Sequence, residues 1–279
     1  MRWSPGGRSR NLEDRRGGGL GAPLGIGGTV ILLVLGLIFG QDFLGDAQIS
    51  DGPTAVGGAL APEDSAREEP AVQFVSFVLD DAQRTWQQKF AQAGEQYREA
   101  KLVLFRNGVQ SACGVGQSAM GPFYCPLDEK VYVDLGFFDE LRTRFGAPGD
   151  FAQAYVLAHE IGHHVQTQLG ISERVRQAQQ QNPRIANELS VRQELQADCY
   201  AGVWGHSTAQ REILERGDVE EGLGAAAAVG DDRIQQQTTG RVNVDAFTHG
   251  SAEQRASWFR RGLSTGDPNQ CDAFSDLSR

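Results

Sequence analysis

Three of the chain's five histidines lie within six consecutive positions, from His159 to His164. His159 and His163 are four residues apart, so on a helix they project from the same face about one turn apart. Two imidazoles at that spacing can bind one Zn²⁺, and Glu160 stands beside them, where it could hold and deprotonate a metal-bound water. The preceding residues are apolar at helical spacing, which indicates a helix packed on a core. The stretch therefore predicts a metal site on a buried helix.

A core helix with incidental histidines is the alternative interpretation. A charged glutamate between two imidazoles would be a poor choice for a core, because an unpaired buried charge is costly. We therefore favour the metal site. His164 points away from the face that carries His159 and His163, by about 100° per residue, and is interpreted as structural.

A catalytic zinc site has three protein ligands and one open position for water, so a third ligand must come from elsewhere in the chain. The metzincin class is excluded, because it needs glycine at position 166 and histidine at position 169, where this chain has Gln166 and Leu169. The remaining candidates are acidic or histidine residues further along the chain: Glu188, Glu194, Asp198, His206 and His249.

Glu194 and Asp198 stand out among these candidates. They are four residues apart on one face of a predicted helix. That helix begins far enough after His163 to leave room for a connection and an antiparallel return. Glu194 would ligate the zinc, and Asp198 would accept a hydrogen bond from the far nitrogen of His159 and so fix its tautomer. A solvated acidic pair on a helix surface is the alternative, and the H-E-x-x-H helix before the pair favours the ligand interpretation.

The net charge of −10 is unevenly distributed along the chain. Residues 1–16 are net positive, with five arginines against Glu13 and Asp14, so the rest of the chain is more acidic than the total suggests. An acidic body without a basic face interleaved with aromatic residues argues against nucleic acid as a partner.

The four cysteines are widely spaced and include no C-x-x-C pair, which argues against a cysteine zinc site. An even number fits two disulfides if the body lies outside the cytoplasm, whereas four buried free thiols are the alternative. Three pairings are possible, and we favour the one that closes the most plausible loops: Cys113 with Cys125, and Cys199 with Cys271.

Residues 24–40 carry no charged side chain and reach the short end of the length of a membrane-spanning helix. Arginines precede this segment and aspartates follow it, so the positive-inside rule places the N-terminus in the cytoplasm and the body outside. A signal peptide, which would need a small-residue cleavage site, and a buried core helix are the alternatives. We therefore expect a single-pass protein of the cytoplasmic membrane with a periplasmic or extracellular body.

This interpretation divides the chain into four regions. Residues 1–20 form a basic, Gly/Arg-rich cytoplasmic tail, residues 21–41 the transmembrane anchor, residues 42–69 a disordered linker and residues 70–279 the metal-binding domain. The fold class is α+β and mainly helical, preceded by the one transmembrane helix.

Within the domain, the apolar periodicity predicts two helices in residues 72–97, strands at residues 101–105 and 131–135, and a polar loop at residues 235–240. Residues 111–125 are rich in Gly and Ser and contain a cysteine near each end. They are interpreted either as an edge strand to which an extended peptide could add, or as an ordinary disulfide-closed hairpin loop.

Several motifs together carry a resemblance to a known family. They are H-E-I-G-H-H from residue 159, E-L-Q-A-D-C-Y-A-G-V-W from residue 194, S-A-C-G from residue 111, F-Y-C-P-L-D from residue 123 and T-H-G-S-A-E-Q-R from residue 248. The chain resembles the neutral zinc metallopeptidases of bacteria over roughly residues 70–275 and the N-terminal apolar segment. Their H-E-x-x-H plus E-x-x-A-D pattern is similar to that of the gluzincin peptidases, which implies a zincin-like domain with a helical part and an edge strand.

The resemblance implies a membrane-anchored zinc metalloendopeptidase that acts on a peptide or protein substrate. One Zn²⁺ would be bound by His159, His163 and Glu194, and Glu160 would be the general base. His249 is the candidate donor to the oxyanion, because its stretch resembles the one that follows the third ligand in related gluzincins; a surface or structural histidine is the alternative. Two other functions stay open: a non-catalytic, membrane-tethered zinc-containing binding or chaperone-like protein, and a zinc hydrolase of a non-peptide amide.

Overall fold

The computed structural model describes residues 1–17 and 62–275, without the side chains of residues 62–64. Helices predominate, and the strands are short. The strands are β1 Leu12–Asp14, β2 Lys101–Phe105, β3 Gly108–Ser111, β4 Gly114–Gln117, β5 Phe123–Cys125 and β6 Lys130–Asp134. The α-helices are α1 Pro62–Gln92, α2 Gly136–Thr143, α3 Asp150–Gln168, α4 Ile171–Gln181, α5 Ala186–Gln210, α6 Asp218–Ala228, α7 Asp231–Thr239 and α8 Ala252–Thr265. Short 3₁₀ turns lie at Ser118–Met120, Pro183–Ile185, Val244–Ala246 and Pro268–Cys271.

The main sheet has four strands in the order β1-β2-β6-β5. β1 and β6 both run parallel to β2, whereas β5 runs antiparallel to β6 and lies at the edge of the sheet. β3 and β4 form a separate antiparallel hairpin. Leu102, Leu104, Val131 and Val133 face the main core, because alternate residues of a strand point to the same side of the sheet. The mainly helical fold with a small sheet is thus the one expected from the sequence.

The histidine helix α3 lies between the sheet and the other long helices, in contact with α1, α5, α6, β5 and β6. Glycines allow the helices to approach one another closely. A Cβ atom at Gly162 on α3 would lie 2.9 Å from the Ala197 carbonyl oxygen on α5, and one at Gly262 on α8 would overlap the Cys199 carbonyl oxygen. Larger residues there would push α5 away from both neighbours, so these glycines set the spacing of the helix layer.

Residues 1–17 pack on the body, which corrects the prediction of a separate cytoplasmic tail. β1 is hydrogen-bonded to β2, with Leu12 paired to Leu102. Trp3 packs edge-on against Phe74 of α1, with ring centroids 5.2 Å apart. A helix that crossed a membrane once between these two parts would leave them on opposite sides, and they could not then share a sheet. The predicted topology, with a cytoplasmic N-terminus and an external body, is therefore wrong.

The predicted transmembrane segment, residues 24–40, lies outside the described residues. Across residues 1–17 and 62–275, no helix has both the length and the apolar character that crossing a bilayer requires. A single-pass membrane protein is therefore not supported, and the transmembrane helix in the predicted fold class is wrong.

Two predictions about secondary structure are also corrected. The two helices expected in residues 72–97 are parts of one helix, α1, which begins at Pro62 rather than at residue 70. Asp81 does not break it, because its buried carboxylate accepts hydrogen bonds from Arg211 and from Trp204 Nε1 at 2.9 Å. The polar loop expected at residues 235–240 is mostly the helix α7.

The predicted disulfide pairing is confirmed. Cys113, in the turn between β3 and β4, is bonded to Cys125 at the end of β5, so this bridge ties the hairpin to the edge strand. Cys199 on α5 is bonded to Cys271 in the last 3₁₀ turn, across 72 residues of chain. The region of residues 111–125 thus contains both features proposed for it, a disulfide-closed hairpin and an edge strand.

Glu13 on β1 anchors the N-terminal segment to the sheet. Its carboxylate lies 2.9 Å from Lys130 Nζ and 3.4 Å from Lys101 Nζ, and it also accepts a hydrogen bond from Arg15. Burial raises the pKa of Glu13, but the hydrogen bonds from Lys130 and Arg15 outweigh that effect and lower the pKa to about 2. A carboxyl group with a depressed pKa stabilises the fold above its ordinary pKa, and the contribution is lost as the pH falls through the folded value.

Glu13→Gln is therefore expected to reduce the free energy of unfolding by about 1 kcal/mol at pH 7, since the ion pairs are partly exposed. The difference should shrink as the pH is lowered toward 2. Urea unfolding across this pH range measures it, with Glu95→Gln as the control, because the Glu95 side chain is exposed. If Glu13→Gln and the control are equally stable at pH 7, this anchoring role is wrong.

Candidate metal centre

Two antiparallel helices bring the predicted site residues together. α3 carries His159, Glu160 and His163, and α5 carries Glu194 and Asp198. The spacing of four residues puts each pair on one face of its helix, and the close approach of the two helices at Gly162 brings those faces into contact. All five side chains are buried or mostly buried.

Three side chains converge on one point: His159, His163 and Glu194 each offer a ligand atom, and these atoms lie within 4.8 Å of one another. Glu194 Oε2 is 3.1 Å from His159 Nε2, and Glu194 Oε1 is 3.3 Å from His163 Nε2. The two imidazole planes are nearly perpendicular, at 89°. Two imidazole nitrogens and a carboxylate are a ligand set that suits zinc.

The far side of His159 is held by a buried polar group. His159 Nδ1 lies 2.7 Å from Asp198 Oδ1 and donates to it, so Nε2, which faces Glu194, is the nitrogen that can bind a metal. Tyr155 donates a hydrogen bond to the same Asp198 oxygen at 2.5 Å. Arg255 on α8 forms a two-pronged ion pair with Asp198, at 2.8 and 3.0 Å. Every oxygen of the Asp198 carboxylate therefore has partners, although the residue is fully buried.

The charges of the group strongly shift its pKa values. Burial alone lowers the pKa of His159, but the carboxylates of Asp198 and Glu194 more than offset it and raise the pKa to about 10. The pKa of Glu194 falls well below its usual value, because the two histidines outweigh the cost of burial. Burial raises the pKa of Glu160, against the opposing effect of the same histidines. A carboxyl group with a raised pKa is suited to take and return a proton.

His163 has a different partner on its far side. Its Nδ1 lies 2.9 Å from Oε1 of Gln166, which is fully buried one turn further along α3. Both histidines of the pair therefore have a side-chain acceptor behind them, a carboxylate for His159 and an amide for His163. Such outer partners fix the tautomer and the orientation of a metal-binding imidazole.

His249 lies on the loop before α8, next to Asp231 of α7. Its Nδ1 is 3.2 Å from Asp231 Oδ1, and its backbone N–H donates to Asp231 Oδ2 at 2.6 Å. The protein around the ring excludes part of its water and so lowers the pKa of His249, but Asp231 and the nearby charge of Glu194 raise it above the ordinary value. The side chain is 49% exposed, so a ligand can reach the imidazole. It is near Glu194 but is not one of the three converging groups.

The other candidates for a third ligand do not reach the group. Glu188 is exposed and pairs with Arg192 on the surface of α5. His206 Nδ1 donates to the Leu263 carbonyl oxygen at 2.8 Å, in the contact between α5 and α8. His164, which the sequence predicts to be structural, is fully buried, and its Nδ1 lies 3.0 Å from the Tyr124 hydroxyl.

A second cluster of carboxylates lies at the other end of α3, where Asp150, Asp218 and Glu221 approach one another. The amino group of Met1 is 2.7 Å from Asp150 and 3.4 Å from Asp218. This cluster contains no histidine and already has a cationic partner. It is a poorer zinc site than the group on α3 and α5.

A cavity of about 220 Å³ opens beside the three converging residues. Its walls come from β5 and the segment after it, from α3 and α4, and from the face of α5 that precedes Asp198. The lining residues are Tyr124, Pro126, His163, Ser172, Ser190, Gln193 and Glu194. The cavity therefore provides open space beside His163 and Glu194, and a substrate or a water molecule could occupy that space.

The sequence did not identify several residues that complete this site. Arg255 lies in the T-H-G-S-A-E-Q-R motif, which does not indicate its role, and the glutamine at position 166 only excludes the metzincin class. Asp231 and Tyr155 gave no sign of their contacts, although Tyr155 lies four residues before His159 and so on the same helix face. That spacing is the one signal in the sequence for a further residue of the site, and it identifies only Tyr155.

Comparison with known proteins agrees with this arrangement. Residues 1–274 match the profile of a family described as "Putative neutral zinc metallopeptidase". The chain is 48% identical over 291 aligned residues to the uncharacterized protein YpfJ of Escherichia coli (strain K12), covering 98% of this chain and 99% of that protein. It is 51% identical over 190 residues to the uncharacterized protein Rv2575 of Mycobacterium tuberculosis, covering 64% of each chain. No solved structure matches the chain.

The chain therefore belongs to this zinc metallopeptidase family, as the resemblance of its motifs indicated. The family implies zinc as the metal and a peptide as the substrate. The group formed by His159, His163 and Glu194 is the set of described residues with the ligand types that zinc prefers.

The ion pair of Asp198 with Arg255 generates a stability prediction. Asp198→Asn removes the two-pronged ion pair of the buried Arg255 guanidinium and leaves only Glu194, at 3.9 Å, as a counter-charge, so it is expected to cost about 3 kcal/mol of unfolding free energy. Arg255→Gln combined with Asp198→Asn should cost less than the two single variants together, because neither charge is then left alone. Urea unfolding in the presence of a chelator measures this cycle without any contribution from metal. Simple additivity would contradict the account.

Proposed function

We propose that the protein is a zinc-dependent endopeptidase whose metal is held by His159, His163 and Glu194. The observation that carries the proposal is the convergence of these three ligand atoms within 4.8 Å, with Glu160 buried directly beside them. The membership of the chain in a zinc metallopeptidase family supports the same activity.

The residues present fit zinc in their chemistry. Two neutral imidazoles and one carboxylate are the ligand set of known catalytic zinc sites, which keep a further position open for water. Asp198 behind His159 and Gln166 behind His163 each hold Nδ1 of the ring, so that Nε2 of both rings faces Glu194 and the proposed metal position. The set contains no thiolate, since all four cysteines are in disulfides.

The metal and the side chains would have separate roles in the reaction. Bound zinc would act as a Lewis acid that polarises the scissile carbonyl and makes the attacking water more acidic. Glu160 accepts the proton of that water and passes it to the leaving amine. The raised pKa of Glu160 suits both steps, because a base whose pKa is closer to neutral also returns the proton readily.

His249 is proposed to donate a hydrogen bond to the developing oxyanion. Asp231 holds one side of its ring, and its raised pKa keeps the imidazole protonated to a higher pH than a free histidine. A donor that is already oriented stabilises the negative charge of the transition state without reorganisation.

The substrate is proposed to bind as an extended peptide along β5. This strand lies at the edge of the main sheet, where it pairs with β6 on one side. Tyr124 at its centre lines the cavity together with His163 and Glu194. A peptide that adds to this edge as an extra strand would run past the metal group, with its backbone held by main-chain hydrogen bonds.

Glu160→Gln tests the peptidase mechanism. Its expected result is retention of about one zinc per chain with loss of peptide cleavage, because the amide keeps the shape of the side chain but cannot take a proton. Metal analysis and cleavage of a peptide library, on the full chain, measure both properties. Glu173→Gln, at an exposed position on α4, is the control and should cleave like the wild type.

The outcomes separate the proposed function from the alternatives. If wild type and variant both bind zinc and neither cleaves peptides, a zinc-containing binding protein is favoured. If the wild type cleaves only non-peptide amides, the hydrolase alternative is favoured. If the wild type binds no zinc, the metal site is wrong.

His249 generates a prediction about pH. Since it acts as a protonated donor, the rate of cleavage should fall as the pH rises through its raised pKa. His249→Gln should lower kcat by roughly 10²-fold, with little change in KM, and should remove this alkaline decrease. Steady-state kinetics between pH 6 and pH 10 measures both effects. An unchanged pH profile in the variant would assign the alkaline decrease to another group.

A further inference from the structure

The side chain behind His163 belongs to a buried chain of hydrogen bonds that ends at a disulfide. Gln166 on α3 is hydrogen-bonded to His163, and Gln196 on α5 is hydrogen-bonded to Gln166. Gln196 is in turn hydrogen-bonded to the backbone carbonyl of Cys271. Gln166 is fully buried, and Gln196 is 3% exposed. Neither glutamine is a ligand. Gln166 is the acceptor behind His163, and the proposed reaction gives Gln196 no role.

The direction of every hydrogen bond in this chain follows from its ends. A backbone carbonyl can only accept, so Gln196 must place its amide nitrogen toward Cys271, at 2.9 Å. The amide oxygen of Gln196 then faces Gln166 Nε2, at 3.0 Å. Gln166 Nε2 also donates to the backbone carbonyl of Gln193, at 2.7 Å, so both of its N–H groups are used.

The orientation of Gln166 is thereby determined on two sides. Turning its amide over would set its oxygen against the Gln193 carbonyl oxygen and the Gln196 amide oxygen, two acceptors in a buried place, which is costly. The oxygen of Gln166 must therefore face His163 Nδ1, at 2.9 Å. Because that oxygen can only accept, His163 carries a proton on Nδ1, which leaves Nε2, 3.3 Å from Glu194 Oε1, as the nitrogen that can bind the metal.

We propose that Gln166 and Gln196 are positioning residues that hold His163 in its metal-binding tautomer, with the Cys271 carbonyl as the fixed end of the relay. The inference rests on the proposed metal site and deepens it.

The disulfide explains why that end is fixed. Cys271 is bonded to Cys199, which lies three residues after Gln196 on the same helix. Residues three apart are neighbours on a helix surface, so the bridge holds the 3₁₀ turn Pro268–Cys271 against the face of α5 that carries Gln196. Without this bridge the carbonyl would depend on the weaker contacts of the last turn.

His159 and His163 are therefore oriented by different means. His159 faces the charged pair of Asp198 and Arg255, whereas the relay behind His163 is made of neutral amides. A neutral amide fixes the tautomer without adding a further charge to a buried site that already holds Glu194, Glu160 and Asp198. A carboxylate at position 166 would face the Gln193 carbonyl and the Gln196 amide oxygen, which are both acceptors. The amide of Gln166 donates a hydrogen bond to each of them.

The test compares the zinc affinity of Gln166→Met, Gln196→Met and Gln153→Met with that of the wild type, by competition with a chelator on the full chain. Methionine keeps the unbranched shape but removes the donors and the acceptor. Gln153 is on α3 and only partly buried, so its variant is the matched control. We expect zinc affinity to fall roughly 10–100-fold in Gln166→Met, less in Gln196→Met and not in the control.

The visible absorption spectrum of the Co²⁺-loaded proteins adds a readout of ligand geometry. We expect the Co²⁺ bands to change in Gln166→Met. Urea unfolding in the presence of a chelator measures any loss of stability in the variant separately. If the wild type binds zinc and Gln166→Met binds it as tightly as the control, with the same Co²⁺ spectrum, the inference is overturned and the proposed site stands. If the wild type itself binds no zinc, the proposed site fails and the inference with it.

Discussion

The contact between α3 and α5 is the constraint on which the rest of the structure depends. The two helices can meet closely because Gly162 has no side chain, and this brings Glu194 into the space between His159 and His163. Helix spacing in a close-packed interior is sensitive to a single methyl group. A small change here would separate the ligand atoms without altering any of them. The geometry of the site is therefore a property of helix packing as much as of its polar residues.

The site concentrates buried charges, and the surrounding structure compensates them one by one. Asp198 is offset by Arg255, and Glu194 by the two histidines. Buried ions are tolerated when their partners and hydrogen bonds are complete, and they are strongly destabilising when one partner is removed. In the protein without metal, His159 holds a proton in this network, as its raised pKa of about 10 indicates. Zinc has to replace that proton, so binding of metal and loss of a proton are coupled.

The sequence was sufficient for the parts of the site that lie on one helix, and for the family. The spacing of four residues placed His159 with His163 and Glu194 with Asp198, and spacing is a local property. Arg255 could not be assigned in the same way, because its partner Asp198 is 57 residues away and only the packing of α8 on α5 joins them. Composition was misleading for residues 1–17, since a polar, arginine-rich segment can still add a strand to a sheet that it meets elsewhere.

The position of the metal is the central claim, and anomalous diffraction at the zinc absorption edge, on crystals of the zinc-loaded full chain, tests it most directly. The account predicts one strong peak about 2.0–2.2 Å from Nε2 of His159, Nε2 of His163 and the Glu194 carboxylate. A peak at the carboxylate cluster around Asp150 instead, or no ordered peak in zinc-saturated protein, would contradict it.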